Sequence, residues 1–255
     1  MKKTIIFSCI SLLALCCQPI YYKPNSLNIP DLQKKSDATV SGGLYTDAYL
    51  SGTEFRTAFS PAKNVGLTFN YFNIFEKNDR NSSGSPAWGR GYLMEGGAGV
   101  YSAQNYSTIS FFGGYGRGVV ENAYLISLQD GTYARSSLTY DRWFLQPGWH
   151  FSVDHLSFGC ALRYIHLKYA KHHYNELYTP DKDFTRITKE RDFALWEIGG
   201  LVGTRWRYFS AHIGGTYVLN PSVVDSRIFF NLAINATATI NISAIIEAAE
   251  KGKPD

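Results

Sequence analysis

From residue 37 onward the chain falls into segments of about ten residues in which apolar and polar positions alternate, and this two-residue period limits the available folds more than any other feature. Over 65–71 the odd positions are apolar, and over 156–164 and 228–236 the even ones are. Each segment reads as a strand with one greasy face and one face of Gly, Ser, Asn and charge. Ten are legible, at 38–46, 50–60, 65–75, 91–103, 106–119, 136–151, 156–170, 191–205, 207–219 and 227–240, and the pattern allows about eight to twelve.

The links between segments alternate in length. Those at 61–64, 104–105, 152–155 and 205–207 are tight, whereas 76–90, 120–135 and 171–190 are long and full of Asn, Ser, Gly, Lys and Asp. Shorter links near 47–49 and 220–226 fall on the same side as the long ones. Short turns on one rim and long loops on the other mark a membrane barrel, and an even strand count returns both ends of the barrel to the short-turn rim. The expected fold is all-β: a single closed antiparallel up-and-down transmembrane β-barrel over 37–240.

Alternation alone also suits a soluble barrel that buries its greasy face. Aromatic placement favours the membrane, since Trp143, Trp149, Trp206 and Tyr208, with Tyr106, Trp88 and Tyr92, fall at or near segment ends, where amphipathic rings sit at headgroup level. The opposite parity delivers Glu54, Arg56, Glu95, Arg142, Arg163 and Glu197 inward, with His212, Asn70, Asn231 and Asn235. Three acids matched by three bases predict a plugged lumen cross-linked by ion pairs, whereas a conducting pore more often keeps one sign in excess. The alternative leaves several of these charges in water at strand ends. Glycines inside the segments are expected to relieve crowding in a small, tightly curved barrel.

The first residues differ in kind. Lys2 and Lys3 precede an apolar run over 4–15 that closes on Cys16 and Cys17, which reads as an export signal over 1–17, too short to span a membrane as a helix. Cys17, or less favourably Cys16, is the expected lipid anchor; an ordinary secretory signal is the alternative. Residues 18–36 hold three prolines and little periodicity, and read as an extended periplasmic tether. At the other end 241–255 is a tail in which 242–251 can form a short amphipathic helix lying on the membrane surface or fraying.

The function classes narrow accordingly. A net charge of +4 spread without a basic block argues against a nucleic-acid partner. No apolar stretch after Cys17 reaches helix-spanning length, and Cys160 stands alone beyond it, so no internal disulfide forms. His172 and His173 sit in a loop with Lys171, Tyr174 and Glu176 and read as a solvated patch rather than a metal site. The run Gly113-Gly114-Tyr115-Gly116-Arg117-Gly118 lies inside a strand with no helix after it, unlike a phosphate loop. No Ser or Asp stands in a recognisable nucleophile setting. No catalytic residue, metal or cofactor is expected, and the chain reads as not an enzyme.

Five short stretches carry a family likeness: Cys17-Gln18-Pro19-Ile20-Tyr21-Tyr22-Lys23-Pro24-Asn25, Ala38-Thr39-Val40-Ser41-Gly42-Gly43, Asn64-Val65-Gly66-Leu67, Gly113-Gly114-Tyr115-Gly116 and Phe144-Leu145-Gln146-Pro147. In these the chain resembles a family of Bacteroidota outer-membrane β-barrel lipoproteins of unassigned function. The resemblance implies a Gram-negative cell outer membrane and lipidation at Cys17, and it brings no active site with it. The chain departs from the family in bulky Leu15 and in its longer tail after Asn241. The expected role is structural or interactive, through the surface loops or as accessory to a membrane complex, in contact with outer-membrane lipid and another envelope protein. A soluble periplasmic lipid-binding barrel and an outer-membrane lipid-modifying enzyme are the alternatives.

Overall fold

The computed structural model describes residues 21–46, 51–75, 86–127, 132–180, 182–219 and 232–250. The export signal, Cys16, Cys17, Asn231 and the links at 47–49 and 220–226 lie outside the described residues, as do 18–20, 76–85, 128–131 and 251–255.

Ten strands form one closed sheet: β1 Ala38–Thr46, β2 Ser51–Ala62, β3 Val65–Phe75, β4 Pro86–Gln104, β5 Ser107–Ser127, β6 Thr132–Val153, β7 Leu156–Tyr174, β8 Asp192–Arg205, β9 Phe209–Leu219 and β10 Leu232–Asn241. Each pairs antiparallel with its sequence neighbours, and β1 closes on β10 from Thr39 opposite Asn241 to Thr46 opposite Ile234. Closure pairs the first strand with the last, so neither is a free edge. Three of the tight turns place a short polar residue in the left-handed region, Asn64 (φ 64°), Asn105 (φ 44°) and Asp154 (φ 50°), the conformation that Asn and Asp tolerate best.

On the long-loop side β4 to β7 run further than the alternation indicates. Residues 86–90, 120–127, 132–135 and 171–174, read from sequence as loop, are paired strand. Outward side chains there include the polar Arg90, Glu121 and Arg135, so no greasy outer row marks the strand. Within the link read as 171–190 a helix forms, α1 (Lys182–Glu190), and buries Phe184 and Ile187. A second helix, α2 (Ile242–Glu250), starts where Asn241 Oδ1 accepts a hydrogen bond from the Ala244 amide at 3.1 Å, an N-cap. Neither helix is long and apolar enough to cross a membrane.

The greasy rows face outward. Leu44 is 67% exposed, Ile109 63% and Ile213 63%, and the outward residues of β6 from Trp143 to Phe151 are Trp, Leu, Pro, Trp and Phe. At about 3.3 Å per residue and a tilt of about 40°, that stretch rises roughly 23 Å, close to the apolar band of about 25 Å on outer-membrane barrels. Tyr115 packs on Trp143 with centroids 4.7 Å apart, and Tyr164 on Trp196 at 5.0 Å. The next outward residues toward the long loops are charged: Arg117 and Asp141, 3.5 Å apart, and Lys168. At the other end Trp206 and Tyr208 lie in the link between β8 and β9, on the short-turn rim. Trp149 stands inside the band, its indole N–H donating to Ser107 Oγ at 2.8 Å.

One segment departs from its reading. Residues 21–33 are not a tether outside the barrel but a plug within it, with Tyr21, Tyr22, Asn25, Ser26 and Leu32 all buried, while 34–36 are exposed. Tyr21 lies beside Tyr169 and Tyr22 beside Tyr140, in the long-loop half of the lumen. Asp31 and Gln33 lie beside Arg205 and Thr108, near the short turns. The plug thus runs from the long-loop half down to the short-turn rim before β1 begins.

Candidate functional site: the plugged lumen

The inward parity of β2, β4, β6, β7 and β8 places six charged side chains in the lumen, all buried: Glu54, Arg56, Glu95, Arg142, Arg163 and Glu197. Four of them alternate around a ring. Glu95 pairs with Arg142 and, at 3.1 Å, with Arg163; Arg163 Nε lies 2.9 Å from Glu197, and Arg142 Nη1 lies 3.9 Å from Glu197. Arg163 and Glu197 are direct cross-strand partners, so the ring is built into the β7–β8 register. Glu54 and Arg56 lie apart from it, 3.9 Å from one another.

Charges taken this far from water cost several kcal/mol each unless every one is paired and hydrogen-bonded. Much of that satisfaction comes from the plug. Tyr22 Oη donates to Glu197 at 2.6 Å and accepts from Arg142 Nη1 at 2.6 Å. Asn25 donates to Glu95 at 2.9 Å while its own oxygen accepts from Arg142 at 2.8 Å, and its backbone carbonyl accepts from Arg163 at 3.2 Å. The Ser26 amide donates to Glu54 at 2.6 Å, and Arg56 donates to the Leu27 carbonyl at 3.1 Å and to Thr237 at 2.7 Å. Lower down, Asn28 donates to Asn70 at 2.8 Å and its carbonyl accepts from Gln146 at 2.6 Å. Above the ring a continuous buried cluster joins Tyr21 and Tyr22 to Tyr140, Tyr169 and Phe193, and reaches Phe184 and Ile187 of α1. Among the described residues, plug and side chains fill the lumen from the charge ring to α1.

Asn70 and Asn235 are buried inside and His212 is partly buried there. His172 and His173 are exposed at the end of β7. Sequence reasoning missed Tyr22, Asn25, Ser26, Asn28, Tyr140, Gln146 and Tyr169. The available signal was the apolar content of the presumed tether, where Tyr21, Tyr22, Leu27, Ile29 and Leu32 are too many greasy side chains for a solvated linker.

No family model and no curated protein matches the sequence. Among solved structures the chain is similar to LpxR from Salmonella typhimurium, at 9% identity and TM-score 0.39 over 79% of this chain and 99% of that one. It is also similar to the translocator domain of autotransporter NalP from Neisseria meningitidis, at 12% identity and TM-score 0.38 over 80% and 86%. Both are outer-membrane β-barrels, and the likeness is one of fold. One correction follows. The expectation that the chain is not an enzyme is overturned by the presence of an enzyme, the lipid A deacylase LpxR, among these neighbours, and is dropped. So distant a likeness transfers no activity.

Proposed function

We propose that this chain is an outer-membrane β-barrel held shut by its own N-terminal segment, acting through its long-loop face in contact with lipid and another envelope protein, rather than conducting solutes. The observation that carries this reading is the plug's direct bonding to the buried charges: Tyr22, Asn25 and Ser26 each hold one of the three lumen carboxylates. A pore would keep its charges wet and in excess of one sign. A periplasmic lipid-binding barrel fits less well, because the greasy rows point away from the lumen and the lumen holds side chains and plug. In the outer membrane the long loops would face the cell surface and the short turns the periplasm.

The likeness to lipidated barrels points to an anchor at Cys17, four residues before Tyr21. Planar-bilayer recording tests the closed state. The wild-type barrel should show no steady conductance, whereas a variant lacking residues 21–33 should conduct. A wild-type barrel with a stable open level would overturn the reading.

A further inference from the structure

At the foot of the lumen, below the charge ring, a small polar chamber of about 70 Å³ is lined by Asp31, His150, Ser157, Arg205, Trp206 and His212 among others. Its side chains are arranged in order. His150 Nε2 lies 2.8 Å from Ser157 Oγ, and His150 Nδ1 lies 3.4 Å from Asp31 Oδ1. Asp31 Oδ2 is held by Arg205 Nη1 at 2.7 Å. His212 Nε2 reaches the same Ser157 oxygen from the opposite side at 3.1 Å. The barrel register makes this convergence possible, since Ser157 pairs with Gly203 and Gly203 pairs with His212. Gly203 keeps the strand between serine and imidazole bare. A Cβ there would come within 1.9 Å of the Ala211 carbonyl oxygen.

One proton assignment that these contacts allow builds a relay. The Asp31 carboxylate takes the Nδ1–H of His150, which leaves the His150 Nε2 lone pair to accept the Ser157 hydroxyl proton. Ser157 Oγ, having spent its only proton, accepts the Nε2–H of His212. Nucleophile, base and orienting acid therefore stand in the order and the roles of a hydrolytic triad, with the acid supplied by the plug.

We propose that Ser157, His150 and Asp31 form an esterase site for small O-acyl esters of acetyl size, open at the short-turn rim. Ser157 Oγ attacks the ester carbonyl as its proton passes to His150. The bond to the alcohol breaks, and the alcohol leaves with that proton. Water then attacks the acyl-serine, giving His150 its proton, and the serine is released with the carboxylic acid as the second product. The size of the chamber excludes fatty acyl chains. His212 is a positioning residue that fixes the serine oxygen. This activity belongs to the opposite end of the barrel from the loop face and stands independently of the role proposed there.

The test uses the full mature chain folded in detergent micelles, with folding of every variant checked by heat-modifiable gel migration. Wild type should be labelled on the Ser157 peptide by a small organophosphonate fluoride. It should hydrolyse p-nitrophenyl acetate far faster than p-nitrophenyl octanoate. Ser157→Ala and His150→Gln should lower turnover at least about 100-fold, and Asp31→Asn by a similar factor. Ser157→Cys should restore a nucleophile that iodoacetamide modifies at the same position. Absence of label on Ser157 in folded wild type, or acetate hydrolysis equal in wild type and Ser157→Ala, would overturn the proposal.

Discussion

Replacing Glu95 with Gln removes one charge from the lumen ring while keeping the side chain's shape. The Glu95 carboxylate accepts from Asn25 at 2.9 Å, Asn70 at 2.6 Å and Arg163 at 3.1 Å, and pairs with Arg142. All of this happens out of water. After substitution two buried guanidiniums share the single remaining ring carboxylate, Glu197, and the Gln amide N–H groups face donors. Removing one partner of a buried pair costs about 3–5 kcal/mol. The lower end suits this site because Arg142 keeps Tyr22 and Asn25, so a loss of about 3 kcal/mol, roughly a hundredfold in the folding equilibrium, is expected. Urea titration of barrel folded in vesicles, read by heat-modifiable migration, measures it. Glu121→Gln is the control, since the Arg90–Glu121 pair at 2.6 Å is exposed and should be worth less than about 1 kcal/mol. Adding Arg142→Met to Glu95→Gln restores charge balance and should recover at least about 1 kcal/mol. A Glu95→Gln loss no larger than that of Glu121→Gln would refute the account of the ring.

Two further outcomes follow from the plug and the packing. The Asp31 carboxyl is held at about 2, below the usual 3.8: burial alone would raise it, but the hydrogen bond and charge of His150, together with Arg205 and Gln33, outweigh burial. Its folded-state value is depressed, so its contribution, about 2 kcal/mol, is present above about pH 5 and lost as pH falls toward 2. Asp31→Asn should flatten that part of the stability profile in urea titrations run from pH 6 to pH 2. Glycine substitutions should separate by position. Gly99→Ala places a Cβ 2.1 Å from the Phe111 carbonyl oxygen and should prevent folding into the heat-modifiable form, whereas at Gly42 nothing lies within 4 Å and Ala should fold with wild-type yield.

How far the sequence reveals this molecule depends on whether its two faces meet different media. Along 65–71 and 156–164 hydrocarbon-facing and lumen-facing residues alternate, and the strands are legible to within a residue or two. Beyond Arg117, Asp141 and Lys168 the parity inverts, with a polar outer face and with Val120, Leu138, Tyr140 and Tyr169 turned inward, so the greasy outer row stops and strand at 120–127 and 171–174 reads as loop. The same parity brings Glu54, Arg56, Glu95, Arg142, Arg163 and Glu197 to one face, although nothing in it says which carboxylate meets which guanidinium; that depends on register. The plug is opaque for a different reason. It has no repeating pattern, because Tyr22, Asn25, Ser26 and Asn28 each meet a different set of strand residues. The chamber at the foot of the lumen combines both difficulties. His150, Ser157 and His212 are separate inward residues whose meeting requires the register of β6 to β9, and Asp31 arrives on the plug.

The central claim is that the barrel's outer rows stand in hydrocarbon while its inner rows stand in a filled, polar interior. Nitroxide labels placed singly at Phe111, Leu145, Phe158 and Ile213, and in parallel at Ser110, Gln146, Ala161 and Asn235, test it in reconstituted vesicles by comparing collisions with oxygen and with a water-soluble nickel chelate. The account predicts high oxygen and low nickel accessibility at the first set, and low accessibility to both reagents at the second. Equal nickel accessibility in the two sets, or oxygen accessibility highest at the inner positions, would contradict it.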